Sequence, residues 1–484
     1  MLDPLLCKAY NKLPMKHGKN ESTRNLHMAT VVAALVLAAG IIGGAFVMTE
    51  IPREVMPAVH ETVTLTKSDR LLVVSPHPDD ESIACSGLIQ HALKVGAQVR
   101  ILWMTAGDHN IVGPVVFWRK LALTPAQYRD IGHRRIQEAR AAASVLGVPQ
   151  NDLIFLGYPD LGLSDIFLTR WTSRPYRSGV TNATAVPYAE SVVHGQSQTA
   201  TNLLADVEHV ISSFQPTVIA YPNMIDNHPD HQTTGLVVTA ALEDLKVHPR
   251  RLEYAVHVNG WPRPLRYAPF ADAYAPPGAR LLNLHQEYVQ LTPAEVGVKT
   301  RAIQAHASEL LPVATLIAFA RRSEVFFAPP DLTNKVDPIQ LARFFFPPNR
   351  LRDENRPVVR QCMVVRTTDS IALVFELGHI LGRLDNFEVS IFPLRGMEKF
   401  ASLPKLRISY RGGSSSATVT DLLHPSAKPM TIPVAHNKAT ISLALEDAMI
   451  GGHPQSLFMR IESGPSDVDL TRSRTIWVRM TDTQ

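Results

Sequence analysis

The stretches Ser75-Pro76-His77-Pro78-Asp79-Asp80-Glu81 and Asp226-Asn227-His228-Pro229-Asp230-His231 hold more imidazoles and carboxylates than a turn needs. Together these side chains can bind a divalent cation and move protons. A hydrolytic zinc centre commonly takes three nitrogen or oxygen ligands and keeps a position for water, whose pKa it lowers toward neutrality. His77, Asp80 and His231 can supply those ligands. A further carboxylate must take the water's proton, and Asp79, beside a ligand but turned elsewhere by the stiffness of Pro78, is the natural general base. His228 is left to stabilise charge. Each stretch alone has a plainer reading, since Pro-Asp-Asp makes a good turn and N-cap and a lone histidine is ordinary polar surface. It is their joint occurrence after two apolar runs that argues for chemistry.

Those runs, 71–74 and 218–221, read as buried strands, as do 99–104 and 153–156. Between them, 83–95, 126–146, 202–214 and 233–245 carry apolar residues near the helical period. The alternation over 69–327 predicts an α/β domain, a Rossmann-like, mostly parallel sheet covered on both faces. Such sheets bind ligands beyond the carboxyl ends of their strands, where both stretches fall. Residues 164–198, rich in Ser, Thr, Arg and aromatics, read as an inserted loop.

Residues 328–357 hold Pro329, Pro330, Pro338, Pro347, Pro348 and Pro357, which suits a linker. Beyond it, 358–367, 371–377, 387–392, 406–410, 417–422, 439–445, 457–461 and 475–480 are short β-type runs between Gly, Ser, Asn and Pro clusters. They predict an all-β, sandwich-like accessory domain over 358–484. Its role is left between two readings: binding or positioning a glycan, or covering an apolar flank of the first domain.

The chain has 484 residues, with 48 Lys and Arg against 44 Asp and Glu for a net charge of +4, and no long single-sign run, which disfavours nucleic acid as a partner. Cys7, Cys85 and Cys362 are scattered without metal or disulfide spacing, so a metal must use His and carboxylates. Residues 28–48 form an uncharged apolar stretch long enough to cross a bilayer. Lys8, Lys12, Lys16, Lys19 and Arg24 precede it. The expectation is a transmembrane signal anchor with 1–27 cytoplasmic and the catalytic domain periplasmic or extracellular; a cleaved signal peptide and a buried core helix are the alternatives.

His77-Pro-Asp-Asp-Glu81 followed by His228-Pro-Asp-His231 resembles the PIG-L/LmbE family of zinc-dependent N-acetylglucosaminyl deacetylases, over roughly 69–327. Thr105-Ala-Gly-Asp108, Arg135-Ile-Gln-Glu138 leading to Leu146-Gly-Val148, Leu156-Gly-Tyr-Pro-Asp160, and Lys299, Ala302, His306 and Ser308 are similar to further family motifs, with Glu309 where Gln is usual. The resemblance implies a Rossmann-like fold and hydrolysis of the N-acetyl amide of an N-acetylglucosamine-containing glycan or glycoconjugate. It implies Zn2+ (or another divalent metal) on His77, Asp80 and His231, Asp79 as base, and His228 polarising the amide or stabilising the oxyanion. Asp230 then orients an imidazole from outside the ligand set, and Arg135 and Asp160 contact sugar or phosphate, the plain alternative for Arg135 being a surface salt bridge to Glu138. A different amide substrate and a non-catalytic glycan-binding role stand as alternatives.

Overall fold

The computed structural model describes residues 61–479 apart from 110–122, 173, 277–278, 280–283, 311–314, 329–340, 346–358, 379, 383–384, 397, 438 and 465–471. Strands β2 (Arg70–Ser75), β3 (Gln98–Thr105), β4 (Leu153–Tyr158), β5 (Val218–Pro222) and β6 (Arg250–Tyr254) lie parallel to their neighbours in the order β6-β5-β2-β3-β4. They read as apolar runs because both faces are buried. In β2, Leu71 and Val73 join one core cluster and Leu72 and Val74 the other. On the first face lie α1 (Asp80–Ala84), α2 (Ser86–Val95), α3 (Pro125–Leu146) and α7 (Pro293–Ala305), on the second α4 (Leu163–Thr169), α5 (Ala200–Phe214) and α6 (Pro229–Leu245). The short α8 (Ala307–Leu310) follows α7.

Three features correct the expected class. The sheet is mixed: β8 (Ser323–Phe327) runs antiparallel between β6 and β7 (Gln286–Gln290), and β1 (Glu61–Thr62) adds to β7 in parallel. The sequence hid β6 and β7 because charged and polar residues interrupt their apolar ones, as in Arg-Arg-Leu-Glu-Tyr and Gln-Glu-Tyr-Val-Gln, and hid β8 because only three of its residues, Val-Phe-Phe, form an apolar run. Helix α4 opens the stretch read as a loop.

The C-terminal part is a nearly closed antiparallel barrel in place of the expected sandwich. Its strands are β9 (Leu341–Phe345), β10 (Val359–Arg366), β11 (Ser370–Leu377), β12 (Asn386–Leu394), β13 (Leu406–Arg411), β14 (Ser416–Asp421), β15 (Met430–Asn437), β16 (Thr440–Glu446), β17 (Ser456–Gly464) and β18 (Arg472–Arg479), in the order β18-β17-β12-β13-β14-β15-β16-β11-β10-β9. Strand β15 makes the sheet continuous: Met430 and Pro433 pair with β14, whereas Val434 and Asn437 pair with β16. Alternation of inward Ile432 and Val434 with outward Thr431 and Pro433 is the same in a sandwich and a barrel, so the sequence did not separate them. Strand β9 falls inside the stretch expected as a linker.

The membrane expectation is also corrected. Among the described residues no helix is long and apolar enough to cross a membrane. The longest, α3, carries Arg129, Arg134 and Arg140 and packs one face on the sheet, as a surface helix does. Residues 28–48, on which the expected anchor and the periplasmic or extracellular placement rested, lie outside the described residues.

The barrel meets the α/β part through aromatic rings. Phe392, Leu394, Phe400 and Phe458 belong to the same core cluster as Phe167 and Trp171. Lys405 is buried among them, donating to the carbonyls of Phe400 and, at 2.6 Å, Leu403, with Nζ 4.5 Å from the Trp171 ring centroid. Burial pushes its pKa down to about 7, against the opposing pull of Asp421 and Asp244. An unfolded lysine titrates near ~10.4, so between pH ~7 and ~10 the unfolded chain holds a proton that the folded chain lacks, and stability rises with pH there by at most about 1.4 kcal/mol per unit. Lys405→Met is expected to remove that rise. Urea unfolding of both proteins across the window checks it; parallel pH profiles would contradict the assignment.

Candidate metal and catalytic site

Two loops meet at the carboxyl ends of β2 and β5. In the first, Ser75 Oγ donates to the His77 carbonyl at 2.7 Å and accepts from Glu81 N at 3.2 Å, closing the turn into α1. The buried Glu81 accepts from Trp103 Nε1 at 2.8 Å and from Asp79 N at 3.1 Å, and lies 3.1 Å from His306 Nε2 at the end of α7. In the second loop, His228 is the N-cap of α6 and Pro229 occupies its first turn, where a missing N–H costs nothing. Asp230 N donates to His228 Nδ1 at 3.2 Å.

The loops bring three ligand-type atoms together. His77 Nδ1 lies 3.2 Å from Asp80 Oδ2, Asp80 Oδ2 lies 3.1 Å from His231 Nε2, and His231 Nε2 lies 3.3 Å from His77 Nδ1. A tetrahedral zinc with ligands at 2.0–2.1 Å has ligand-to-ligand edges of about 3.3 Å. The triangle therefore fits one face of such a tetrahedron. Asp80 Oδ1, buried, has no hydrogen-bond partner, as suits a carboxylate that completes its shell with a cation. Burial opposes ionisation of Asp80, but His231 and His77 outweigh it and hold its carboxyl well below the usual range.

Each imidazole of the triangle has a carboxylate on its outer nitrogen. Asp226 Oδ2 lies 3.0 Å from His231 Nδ1 and accepts from the backbone of Val256 at 2.8 Å and His257 at 3.0 Å. His77 Nε2 lies 3.3 Å from Asp230 Oδ2 and 3.2 Å from Asp160 Oδ1. Such outer partners fix tautomer and ring orientation. Asp160, expected to contact substrate, is thus turned toward His77; its amide donates to Asp108 at 3.0 Å.

Asp79 lies outside the triangle. Its φ of 152° is an uncommon conformation for a residue with a side chain, costing on the order of 1–3 kcal/mol. Arg135 stabilises it, donating to Asp79 Oδ2 at 3.1 Å, to the Pro78 carbonyl at 3.0 Å and to the Gly107 carbonyl at 3.0 Å. Arg135 also lies 3.4 Å from Glu309 Oε1, whereas its neighbour Arg134 takes Glu138 at 3.1 Å. Gly107, at φ 65°, admits this guanidinium, since a Cβ there would stand 2.4 Å from its Nη1. Burial pushes the Asp79 pKa up to about 7 against the pull of Arg135. Burial and the neighbouring His77, His231 and His257 hold His228 well below the usual imidazole range.

Sequence reasoning missed His257. Its ligand atom lies within 4.8 Å of those of His77, Asp80 and His231, and its ring centroid lies 4.6 Å from that of His231. Its signal was positional: it follows β6 at the same sheet edge. A second group, His77, Asp160 and His228, also has ligand-type atoms within that spacing. The Asp230 N–H on His228 Nδ1 favours a proton on Nε2 of the neutral ring, which suits a donor better than a ligand.

Residues 72–242 match the sequence profile of the PIG-L family, described as GlcNAc-PI de-N-acetylase. The chain is 33% identical over 183 residues to a 1D-myo-inositol 2-acetamido-2-deoxy-α-D-glucopyranoside deacetylase of Actinosynnema mirum, across 37% of this chain and 57% of that one. It is 28% identical over 260 residues to the Gordonia bronchialis protein of the same description, across 50% of this chain and 84% of that one. The chain thus spans little more than half the length of the first of these relatives. It is also similar to the solved N,N'-diacetylchitobiose deacetylase from Pyrococcus horikoshii, with 18% identity, a TM-score of 0.31, and 50% of this chain and 71% of that one covered.

Proposed function

We propose, from the match of residues 72–242 to the PIG-L family profile, that the chain is a metal-dependent N-deacetylase that hydrolyses the N-acetyl amide of an N-acetylglucosamine-containing glycan or glycoconjugate to a free amine and acetate. The observation that carries this reading is the triangle of His77 Nδ1, Asp80 Oδ2 and His231 Nε2, with edges of 3.1–3.3 Å. These three residues would hold the metal, zinc by their chemistry, although imidazole and carboxylate accept other divalent ions. Bound there, the ion would act as a Lewis acid and make water a nucleophile at neutral pH.

The chain's own residues do the rest. Asp79 takes the proton of the attacking water; Arg135 holds Oδ2, leaving Oδ1 for that task. As the tetrahedral intermediate collapses, Asp79 returns the proton to the departing nitrogen. His228, neutral and protonated on Nε2, donates to the developing oxyanion. Asp226 keeps His231 in the tautomer whose Nε2 lone pair faces Asp80, and Asp230 and Asp160 do the same for His77.

The test is acetate release from a panel of N-acetylated glycosides by the full chain, before and after chelation and after zinc is restored. Release that is lost on chelation and returns with zinc is expected. Release that survives full metal depletion would overturn metal dependence, and release only from other amides would overturn the substrate class.

A further inference from the structure

The C-terminal barrel does not stop at the flank of the α/β part. Its rings reach α4, and α4 begins at the catalytic site. Asp230 Oδ2 accepts from Leu161 N at 2.7 Å and Oδ1 from Leu163 N at 3.2 Å. Asp230 and Asp160 both face His77 Nε2, so the turn 160–163 sets what lies behind that imidazole. Leu161 has a φ of 57°, a left-handed conformation that a leucine keeps only where its surroundings impose it.

Helix α4 follows that turn directly, and the barrel's rings pack against the helix. The Phe167 ring stacks on Phe400 at 5.9 Å between centroids and 9° between planes, and meets Phe392 at 6.0 Å and Phe458 at 6.4 Å. Trp171, just beyond the helix, donates from Nε1 to the Phe167 carbonyl at 2.5 Å and packs edge-on against Phe400 at 5.6 Å. Phe400 is itself tied to the α/β part, its amide donating to Asp244 Oδ1 at 2.9 Å and Oδ2 at 3.0 Å. Helix α4 has seven residues, about 10 Å of rise. These roughly two turns therefore link the aromatic cluster to the amides on Asp230.

We propose that the barrel is a positioning element for the catalytic site: Phe392, Phe400 and Phe458 hold Phe167 and Trp171, and so fix α4, the Leu161 and Leu163 amides on Asp230, and the Asp160 carboxylate beside His77. His77, Asp80 and His231 themselves lie outside α4 and its turn, so loosening this clamp keeps the three ligands but slackens the carboxylates behind His77, which disturbs substrate handling and weakens metal binding as the loss of an outer partner does. The catalytic half of the statement rests on the deacetylase reading; the positioning half does not.

Full-length Phe400→Ala is compared with Phe375→Ala, which removes a buried ring from the barrel's own core. Backbone hydrogen exchange is followed in peptides covering 159–169. The expected result is at least tenfold faster exchange in Phe400→Ala and unchanged exchange in Phe375→Ala; with both assayed at saturating metal, Phe400→Ala shows at least a tenfold higher KM and a smaller change in kcat. If alanine at 400 leaves insoluble protein, Phe400→Leu, which keeps most of the apolar bulk, reads the same exchange. Unchanged exchange in the position-400 variant, or equal acceleration in both variants, overturns the proposal. If the wild-type chain releases no acetate, the deacetylase reading fails and the exchange data still decide the positioning role.

Discussion

Alanine at His77, Asp80 or His231 is expected to leave a folded protein that no longer retains stoichiometric metal through equilibrium dialysis. Each residue contributes one corner of a triangle with edges of 3.1–3.3 Å, and two protein ligands do not make a hydrolytic zinc site. The fold tolerates the change because the three side chains sit beyond the strand ends, His77 on a loop and Asp80 and His231 in the first turns of α1 and α6, while the cores lie between sheet and helices. Asp226→Asn is the graded control. Its carboxylate touches His231 Nδ1 and not the triangle, so its loss should weaken metal binding by roughly 10–100-fold, as outer partners do, and the ligand variants should fall further. The order is the informative result. Full occupancy in any of the three alanine variants would remove that residue from the ligand set, and a larger loss in Asp226→Asn than in His231→Ala would place the ion elsewhere.

What the sequence disclosed follows from where each residue sits. Strands β2, β3, β4 and β5 are buried on both faces and therefore spell continuous apolar runs. Strand β15, Met-Thr-Ile-Pro-Val-Ala-His-Asn, exposes all but Ile432 and Val434 and carries a proline, so it passed unread, and with it the continuity that makes a barrel. The two loops of the candidate site were legible because residue type, spacing and position at a strand end all pointed one way. Arg135 was not. From the sequence its visible partner was Glu138, one turn along α3, but Glu138 is taken by Arg134 and by Ser308, whose hydroxyl donates to it at 2.5 Å, while Arg135 turns inward to Asp79. Which face of a helix points inward is set by packing against the sheet, and Arg134 and Arg135, adjacent in sequence, fall on either side of that boundary, one exposed and one buried. Asp226 was counted among the carboxylates without a task; its task exists only once α6 brings His231 back over it. Helix α4 was hidden by the polar, irregular stretch that follows it, and so the route from barrel to site was hidden too.

Asp79→Asn is expected to keep the metal and lose hydrolysis. The substitution is nearly isosteric, and the amide oxygen can still accept from Arg135 as Asp79 Oδ2 does at 3.1 Å, so the unusual backbone at φ 152° keeps its main support. What disappears is the ability to take a proton: an amide has no useful basicity at neutral pH. General-base assistance contributes about 10²–10⁴-fold to such reactions, and kcat is expected to fall by that amount with metal content and KM little changed, the pattern of an interaction made only in the transition state. Arg135→Met gives the complementary result. It leaves the carboxylate but removes the donor to Asp79, Pro78 and Gly107, so the loop loses its tether and both stability and kcat should fall, whereas Asp79→Asn should unfold close to wild type. Near-normal kcat in Asp79→Asn would remove Asp79 from the proton path and return the role of base to another carboxylate at the site. A kcat fall with loss of metal would mean that Asp79 serves the ligand loop and not the water.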